Sequence, residues 1–182
     1  MKRSFLAICL LSLAPPASAL DFTETLMLQS TLKEHGFDVG EPDGRMGPST
    51  RRGIDEFAKV YEAPTDPDAL FDYMLKRSRE ARESVTDEGQ LEAIKAGVAD
   101  LLRDPSSAQI RDVFRVRLDS TTMVCGQVNG KNAYGGYAGF STFYGFMLGS
   151  GAAGTESFLP ISVDGPDSPI ALYSCMLAFP SK

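Results

Sequence analysis

Three arginines follow a glycine-rich stretch near the N-terminus: Arg45, Arg51 and Arg52. A guanidinium group can pair with a carboxylate through two parallel hydrogen bonds. Asp43 can accept hydrogen bonds from loop amides, and the Thr50 hydroxyl can brace the loop from the next helix. The spacing indicates a structured loop that could bind a carboxylate-bearing ligand, although each arginine could equally be a solvated surface residue.

The first 19 residues have the three parts of a secretory signal peptide. Lys2 and Arg3 give a positive start, a mostly apolar run follows, and residues 17–19 form a small-residue cleavage site. The rival interpretation, a membrane anchor, is disfavoured because Pro15-Pro16 interrupts a run that is far shorter than the ~20 residues of a spanning helix. We expect cleavage after residue 19, a periplasmic or secreted protein, and no membrane span after signal removal.

Charge narrows the possible partners. Removing residues 1–19 takes away two of the 18 basic residues and none of the 24 acidic ones, which leaves a formal net charge of −8. Such a charge argues against nucleic acid or an anionic membrane surface as the main partner.

The cysteines point to a crosslink. Cleavage would remove Cys9 and leave Cys125 and Cys175. An even number in an exported chain favours a disulfide, because that compartment oxidises thiols. The alternative, a catalytic thiol, needs a histidine nearby, and the chain's one histidine, His35, lies at the end of the first predicted helix.

Two patterns of hydrophobic residues predict two kinds of structure. Up to about residue 82, apolar residues recur at helical spacing, which predicts a small all-α domain of three helices around Leu28, Leu32, Ile54, Phe57, Tyr61, Leu70 and Met74. A fourth helix, capped by Thr86 or Asp87, carries an apolar stripe. Strands of an antiparallel sheet are then predicted around residues 114–118, 123–128, 140–148, 158–163 and 171–179, with a tight turn at Asn129-Gly130.

Residues 28–57 resemble the three-helix peptidoglycan-binding domain found on many cell-wall hydrolases and envelope proteins. The matching residues are Leu28-Gln29, Leu32, Gly36-Phe37, Gly40, Asp43-Gly44, Gly47, Thr50-Arg51, Ile54 and Phe57. The resemblance implies that the arginines meet carboxylates of a peptide stem. Gly53 stands where the family usually has alanine, and Ala58 where glutamine usually follows the phenylalanine.

A vaguer resemblance covers the C-terminal part, to a small exported bacterial domain of unknown function. It is carried by residues 104–108, 124–132 and 135–140.

Enzymatic signatures are incomplete. A zinc amidase needs several histidines, and Ser30-x-x-Lys33 lacks the companion motifs of penicillin-binding enzymes. Glycoside hydrolysis needs only two carboxylates, so a wall hydrolase stays open as an alternative.

These observations predict an α+β protein with a signal peptide (residues 1–19), a peptidoglycan-binding-like helical domain (20–83) and an α+β domain with one helix and an antiparallel sheet (84–182). We expect a non-enzymatic envelope protein that binds peptidoglycan through Asp43, Arg45, Thr50, Arg51 and Arg52, without metal or cofactor. The alternative is an interaction or inhibitor protein, acting on another envelope protein, in which the helices are only a scaffold.

Overall fold

The computed structural model describes residues 20–149, 157–165 and 169–181, so the predicted signal peptide lies outside the described residues. Helices and an antiparallel sheet together confirm the predicted α+β class. In chain order the described elements are α1 (Phe22–Glu34), α2 (Pro48–Tyr61), α3 (Pro67–Glu80), β1 (Arg82–Ser84), α4 (Glu88–Ala99), a 3₁₀ turn (Pro105–Ser107), β2 (Gln109–Arg117), β3 (Thr122–Asn129), β4 (Ser141–Leu148), β5 (Ser157–Val163) and α5 (Ile170–Met176).

Local chemistry sets where the first three helices begin. At α1 the Asp21 carboxylate accepts from the Glu24 amide at 2.8 Å, and the Glu24 carboxylate accepts from the Asp21 amide at 2.9 Å. Such a reciprocal pair satisfies donors that a helix start leaves open. Proline occupies the first turn of α2 and α3, where its missing N–H costs nothing.

The core of these helices follows the predicted spacing. Its central side chains are at most 1% exposed and come from all three helices: Leu28, Leu32, Ile54, Phe57, Leu70 and Met74. Two residues from the C-terminal end of the chain, Leu177 and Phe179, belong to the same cluster. The N-terminal helices therefore share their core with a segment about 100 residues away in sequence.

The strands form one sheet in the order β1-β2-β3-β4-β5, with every neighbouring pair antiparallel. The short strand β1 was not predicted, because its charged sequence continues the pattern of the preceding helix. Arg82 pairs with Val116 and Ser84 pairs with Phe114. The sheet thus begins immediately after α3.

Helix α4 covers one face of the sheet. Asp87 caps it by accepting from the Gln90 amide at 2.8 Å, as predicted. Ile94 and Val98 pack with Val124 and other apolar residues of the strands. Burial of this apolar stripe orients the helix on the sheet.

Helix α5 corrects the prediction that residues 171–179 form a strand. The buried residues Ala171 and Cys175 are four apart, which is helical spacing. The Asp164 carboxylate accepts from the amides of Ala171 at 2.7 Å and Leu172 at 3.0 Å, so a residue before the helix satisfies its first turn. Two helices, rather than the predicted one, therefore pack against the sheet.

The predicted disulfide is confirmed between Cys125 on β3 and Cys175 on α5, with their Cα atoms 6.0 Å apart. Cys125 follows Val124, which faces α4, so the bonded sulfur lies on the opposite face of the sheet. The Cys175 carbonyl also accepts from Ser78 Oγ at 3.4 Å and Arg82 Nη2 at 3.1 Å. Helix α5 is thereby attached to both the sheet and the N-terminal helices.

The predicted tight turn at Asn129-Gly130 is wrong. Strand β3 continues through Asn129, and β4 begins only at Ser141. Asn129 Oδ1 accepts from the Gly139 amide at 3.2 Å, and Asn132 Oδ1 accepts from the Tyr134 amide at 2.9 Å. These side chains stabilise a longer loop, residues 130–140, instead of a two-residue hairpin.

Candidate functional site

The predicted binding residues lie in and beside residues 35–47, the segment between α1 and α2. We call this segment the Gln29 loop, after the α1 residue whose side chain contacts it. Its position depends on turns that favour glycine. Gly44 has φ of 70°, and a Cβ there would meet the Phe22 ring and backbone. A larger residue would be strained in this conformation and would collide with the first turn of α1.

Gln29 organises the loop from inside. Its side chain is 1% exposed and its amide nitrogen donates to Asp43 Oδ1 (3.0 Å), the Arg45 carbonyl (3.1 Å) and Thr50 Oγ1 (2.9 Å). Its amide oxygen accepts from the backbone amides of Asp43 (2.9 Å) and Gly44 (2.8 Å). One side chain thus replaces the backbone pairing that an irregular loop lacks.

Sequence reasoning assigned no role to Gln29, although it is part of the matching motif. The available signal was a polar residue next to Leu28 on the apolar face of the predicted helix. A buried amide needs hydrogen-bond partners, and the loop supplies them.

The Asp43 carboxylate is exposed, and one of its oxygens, Oδ1, is engaged by the loop. It accepts from the Gln29 side chain and from the Arg45 amide at 2.9 Å. These two hydrogen bonds hold the pKa of Asp43 below its usual value of 3.8, and the nearby Arg45 charge acts in the same direction. Asp43 therefore stays ionised while it shapes the loop.

Thr50 is 1% exposed, and its hydroxyl lies between Gln29 and the Arg45 carbonyl, to which it donates at 3.4 Å. It braces the loop from the first turn of α2, as the sequence indicated. The structure brings Asp43, Thr50 and the Arg45 backbone together around Gln29.

The three arginines are exposed. Arg52 lies 3.7 Å from Asp38, and the long, exposed ion pair contributes little to stability. Among the described residues, the guanidinium groups of Arg45 and Arg51 make no ion pair or hydrogen bond. These two guanidinium groups are therefore exposed and free to pair with a ligand.

The two departures from the resembled family lie in the packing beneath the loop. A Cβ on Gly53 would collide with Cγ1 of Val39, which is 2% exposed. Val39 therefore occupies the space that an alanine methyl group at this position would need. Ala58 is 7% exposed. Both differences concern the core and leave the exposed arginines unchanged.

The residues considered for catalysis are held in structural contacts. His35 Nδ1 lies 2.9 Å from the Thr31 carbonyl, and its ring lies 4.5 Å from that of Phe179. Both Cys125 and Cys175 sulfurs are in the disulfide. Within residues 20–149, 157–165 and 169–181, no group of three or more metal-binding side chains is found.

Comparison of the chain with protein-family models, with curated proteins and with solved structures finds no match. In the described ranges, no helix is both long and apolar enough to cross a bilayer.

Proposed function

We propose that this chain is an exported cell-envelope protein that binds peptidoglycan non-catalytically through its N-terminal helices. In this proposal residues 20–83 act as a three-helix binding domain and residues 84–182 as an α+β domain. The peptidoglycan-binding-like motif of the sequence suggests the ligand. The oxidised Cys125–Cys175 pair is consistent with an oxidising, exported location.

One observation carries the proposal. The Gln29 loop uses its inward polar groups to hold its own shape, while Arg45 in the loop and Arg51 in the first turn of α2 stay exposed. A preorganised loop loses little conformational entropy on binding. Guanidinium groups on such a loop suit the carboxylates of peptide stems, because each can form two parallel hydrogen bonds.

Cosedimentation of the mature protein with purified sacculi tests the proposal. We expect R45E/R51E to reduce retention by about tenfold or more, because two charge-assisted contacts become repulsive. The matched control is K59E/R79E, which changes the net charge equally at exposed positions on α2 and α3. Equal retention of the two variants would rule out binding through the loop.

Charge reversal is a better test than deletion of residues 20–83. Leu177 and Phe179 pack into the core of the N-terminal helices, so deletion would expose them. A truncated chain could then lose binding simply because it unfolds. Thermal unfolding of both double variants checks that the fold is kept.

A second candidate function, an interaction or inhibitor protein for another envelope protein, is favoured by the loop of residues 130–140. Tyr134 is 96% exposed and Tyr137 46% exposed, while the Asn132 side chain accepts from the Tyr134 and Gly136 amides within the same loop. Exposed aromatic residues on an ordered loop are typical of interaction surfaces. Crosslinking to an envelope partner that depends on Tyr134 and survives R45E/R51E would favour this function.

A further inference from the structure

A cleft separate from the Gln29 loop lies between α1, α5 and β4. It consists of two cavities of about 340 and 350 Å³. Four residues line both cavities, namely Glu34, Tyr144, Ser174 and Leu177. The cleft is therefore built jointly by the N-terminal helices, the sheet and the disulfide-bonded helix.

Glu34 is the distinctive group in this cleft. Among the described residues its carboxylate has no hydrogen bond and no ion pair. Burial raises the pKa of Glu34 above its usual value of 4.5, and the neighbouring His35 only partly offsets this. Glu34 is nevertheless exposed to solvent where it lines the cleft, so its carboxylate is accessible and keeps its hydrogen-bonding capacity for a ligand.

Two other polar groups that line the cleft are also available to a ligand. In the described parts of the chain, the hydroxyls of Tyr144 and Ser174 make no hydrogen bond. Two hydroxyl oxygens and a carboxylate therefore line the same space. All three can accept hydrogen bonds, so together they suit a group with several donors.

The charge of the cleft is one-sided. The second cavity adds a further acid, Asp119, which accepts from the Ser181 amide at 3.0 Å. No lysine or arginine is among the described residues that line the two cavities. His35 is the basic side chain among those residues, and it is held by the Thr31 carbonyl and by the Phe179 ring. The cleft thus favours a cation over an anion.

The first cavity also has an apolar wall formed by Leu26, Met27 and Ile170. Leu177 continues this wall into the second cavity. An unbranched chain of methylene groups could lie against it and lose its contact with water, which is favourable.

We propose that this cleft binds a primary ammonium group carried on an unbranched aliphatic chain, as in the lysine-type side chain of a peptide. The ammonium donates to Glu34, Tyr144 and Ser174, and the methylene groups lie along Leu177 and Met27. An ammonium has three donors and no acceptor, which suits the carboxylate and the two hydroxyls that line the cleft. The site does not depend on peptidoglycan binding by the Gln29 loop.

NMR titration of the mature protein with Nα-acetyl-lysine methylamide tests the proposal. The matched probe carries an acetyl group on the side-chain amine, which removes the charge but keeps the methylene chain. We expect saturable shifts at Glu34, Tyr144 and Ser174, and affinity for the free amine about tenfold higher than for the acetylated probe. Equal affinity for both probes, or no saturable shift in the cleft, would overturn the proposal.

Two substitutions test whether the amine binds in the cleft or to acidic residues elsewhere on the surface. E34Q keeps the size of the side chain and should reduce affinity for the amine about tenfold, because a charge-assisted hydrogen bond is lost. The control E56Q removes one negative charge at an exposed position on α2 and should leave affinity unchanged. If E34Q binds the amine as well as the wild type, Glu34 is not its partner and the proposal fails.

Discussion

Asp43 and Glu34 are acids at opposite ends of the range of carboxylate environments in this protein. Asp43 is exposed, yet hydrogen bonds from Gln29 and from the Arg45 amide lower its pKa. Glu34 is also exposed, at the cleft between α1 and α5, but it has no such partners among the described residues, and partial desolvation raises its pKa. The first carboxylate is used by the fold, whereas the second is left open to a ligand.

The difference shows how a site residue can be distinguished from a residue that builds the site. Loop atoms that satisfy one another, such as Asp43 Oδ1 and Thr50 Oγ1, have little capacity left for a ligand. Groups that have no side-chain partner within the described part of the chain, such as Arg45, Arg51 and Glu34, keep that capacity.

Removal of the disulfide should affect the cleft and spare the loop. C125A/C175A should lower the free energy of unfolding by ~4 kcal/mol, the chain-entropy value for a loop of this length. Because Ser174 and Leu177 form one wall of the cleft, the pKa of Glu34 should fall toward its usual value while that of Asp43 stays low. Urea unfolding and NMR titration measure both effects. An equal change in the pKa of Asp43 would contradict the claim that the two carboxylates have independent environments.

Loss of the Gln29 side chain should affect the Gln29 loop and spare the cleft. Q29A leaves the amides of Asp43 and Gly44 without their acceptor and should cost about 3 kcal/mol in unfolding free energy. The pKa of Asp43 should rise toward 3.8, because its strongest hydrogen bond is lost, while that of Glu34 is unchanged.

The neighbouring substitution S30A serves as the control for Q29A. Its hydroxyl makes a hydrogen bond only to the Leu26 carbonyl within α1 in the described structure, so the cost should be below about 0.5 kcal/mol. Similar costs for Q29A and S30A in urea unfolding would show that Gln29 does not organise the loop.

Packing under the loop should be specific for glycine at position 53. G53A should destabilise the protein by about 1–2 kcal/mol, because its methyl group collides with Val39. In V39A/G53A that collision is absent, so the double variant should lose less than the two single variants added together. A double-mutant cycle by urea unfolding measures the coupling. Strict additivity would mean that the two positions do not share this space.

The two carboxylates should give opposite pH dependences, although the effects are small. Asp43 has a lowered native pKa, so its contribution is present above about pH 3.8 and is lost as pH falls through the native value. Glu34 has a raised native pKa, so stability decreases as pH rises from about 4.5 through the native value. D43N should flatten the acid side of the stability curve, and E34Q should remove the decrease above pH 4.5. The same slope change in both variants would contradict the comparison.

Much of the secondary structure could be predicted from hydrophobic periodicity. The spacing of Leu28, Phe57 and Leu70 located three helices, because each presents one apolar face to a common core. The paired cysteines were predictable because an even count in an exported chain favours a disulfide.

The predictions that failed concern segments whose conformation is set by individual side-chain hydrogen bonds, which hydrophobic periodicity does not report. The cap of α5 comes from Asp164, and the loop after β3 is held by Asn129 and Asn132, so short-range patterns gave a strand and a tight turn instead. The cleft at Glu34 also could not be predicted, because its walls come from segments far apart in sequence. Gln29 is part of the motif read from the sequence, but its five hydrogen bonds depend on the path of the loop.

The most direct test of peptidoglycan binding is an NMR titration of the mature protein with soluble muropeptides whose amines have been acetylated. Acetylation removes the group proposed for the cleft and keeps the stem carboxylates. Binding through the Gln29 loop predicts saturable shifts at Gly44, Arg45 and Arg51, with Tyr144 and Ser174 unchanged. Shifts confined to the cleft, or no saturable shifts in the loop, would contradict it.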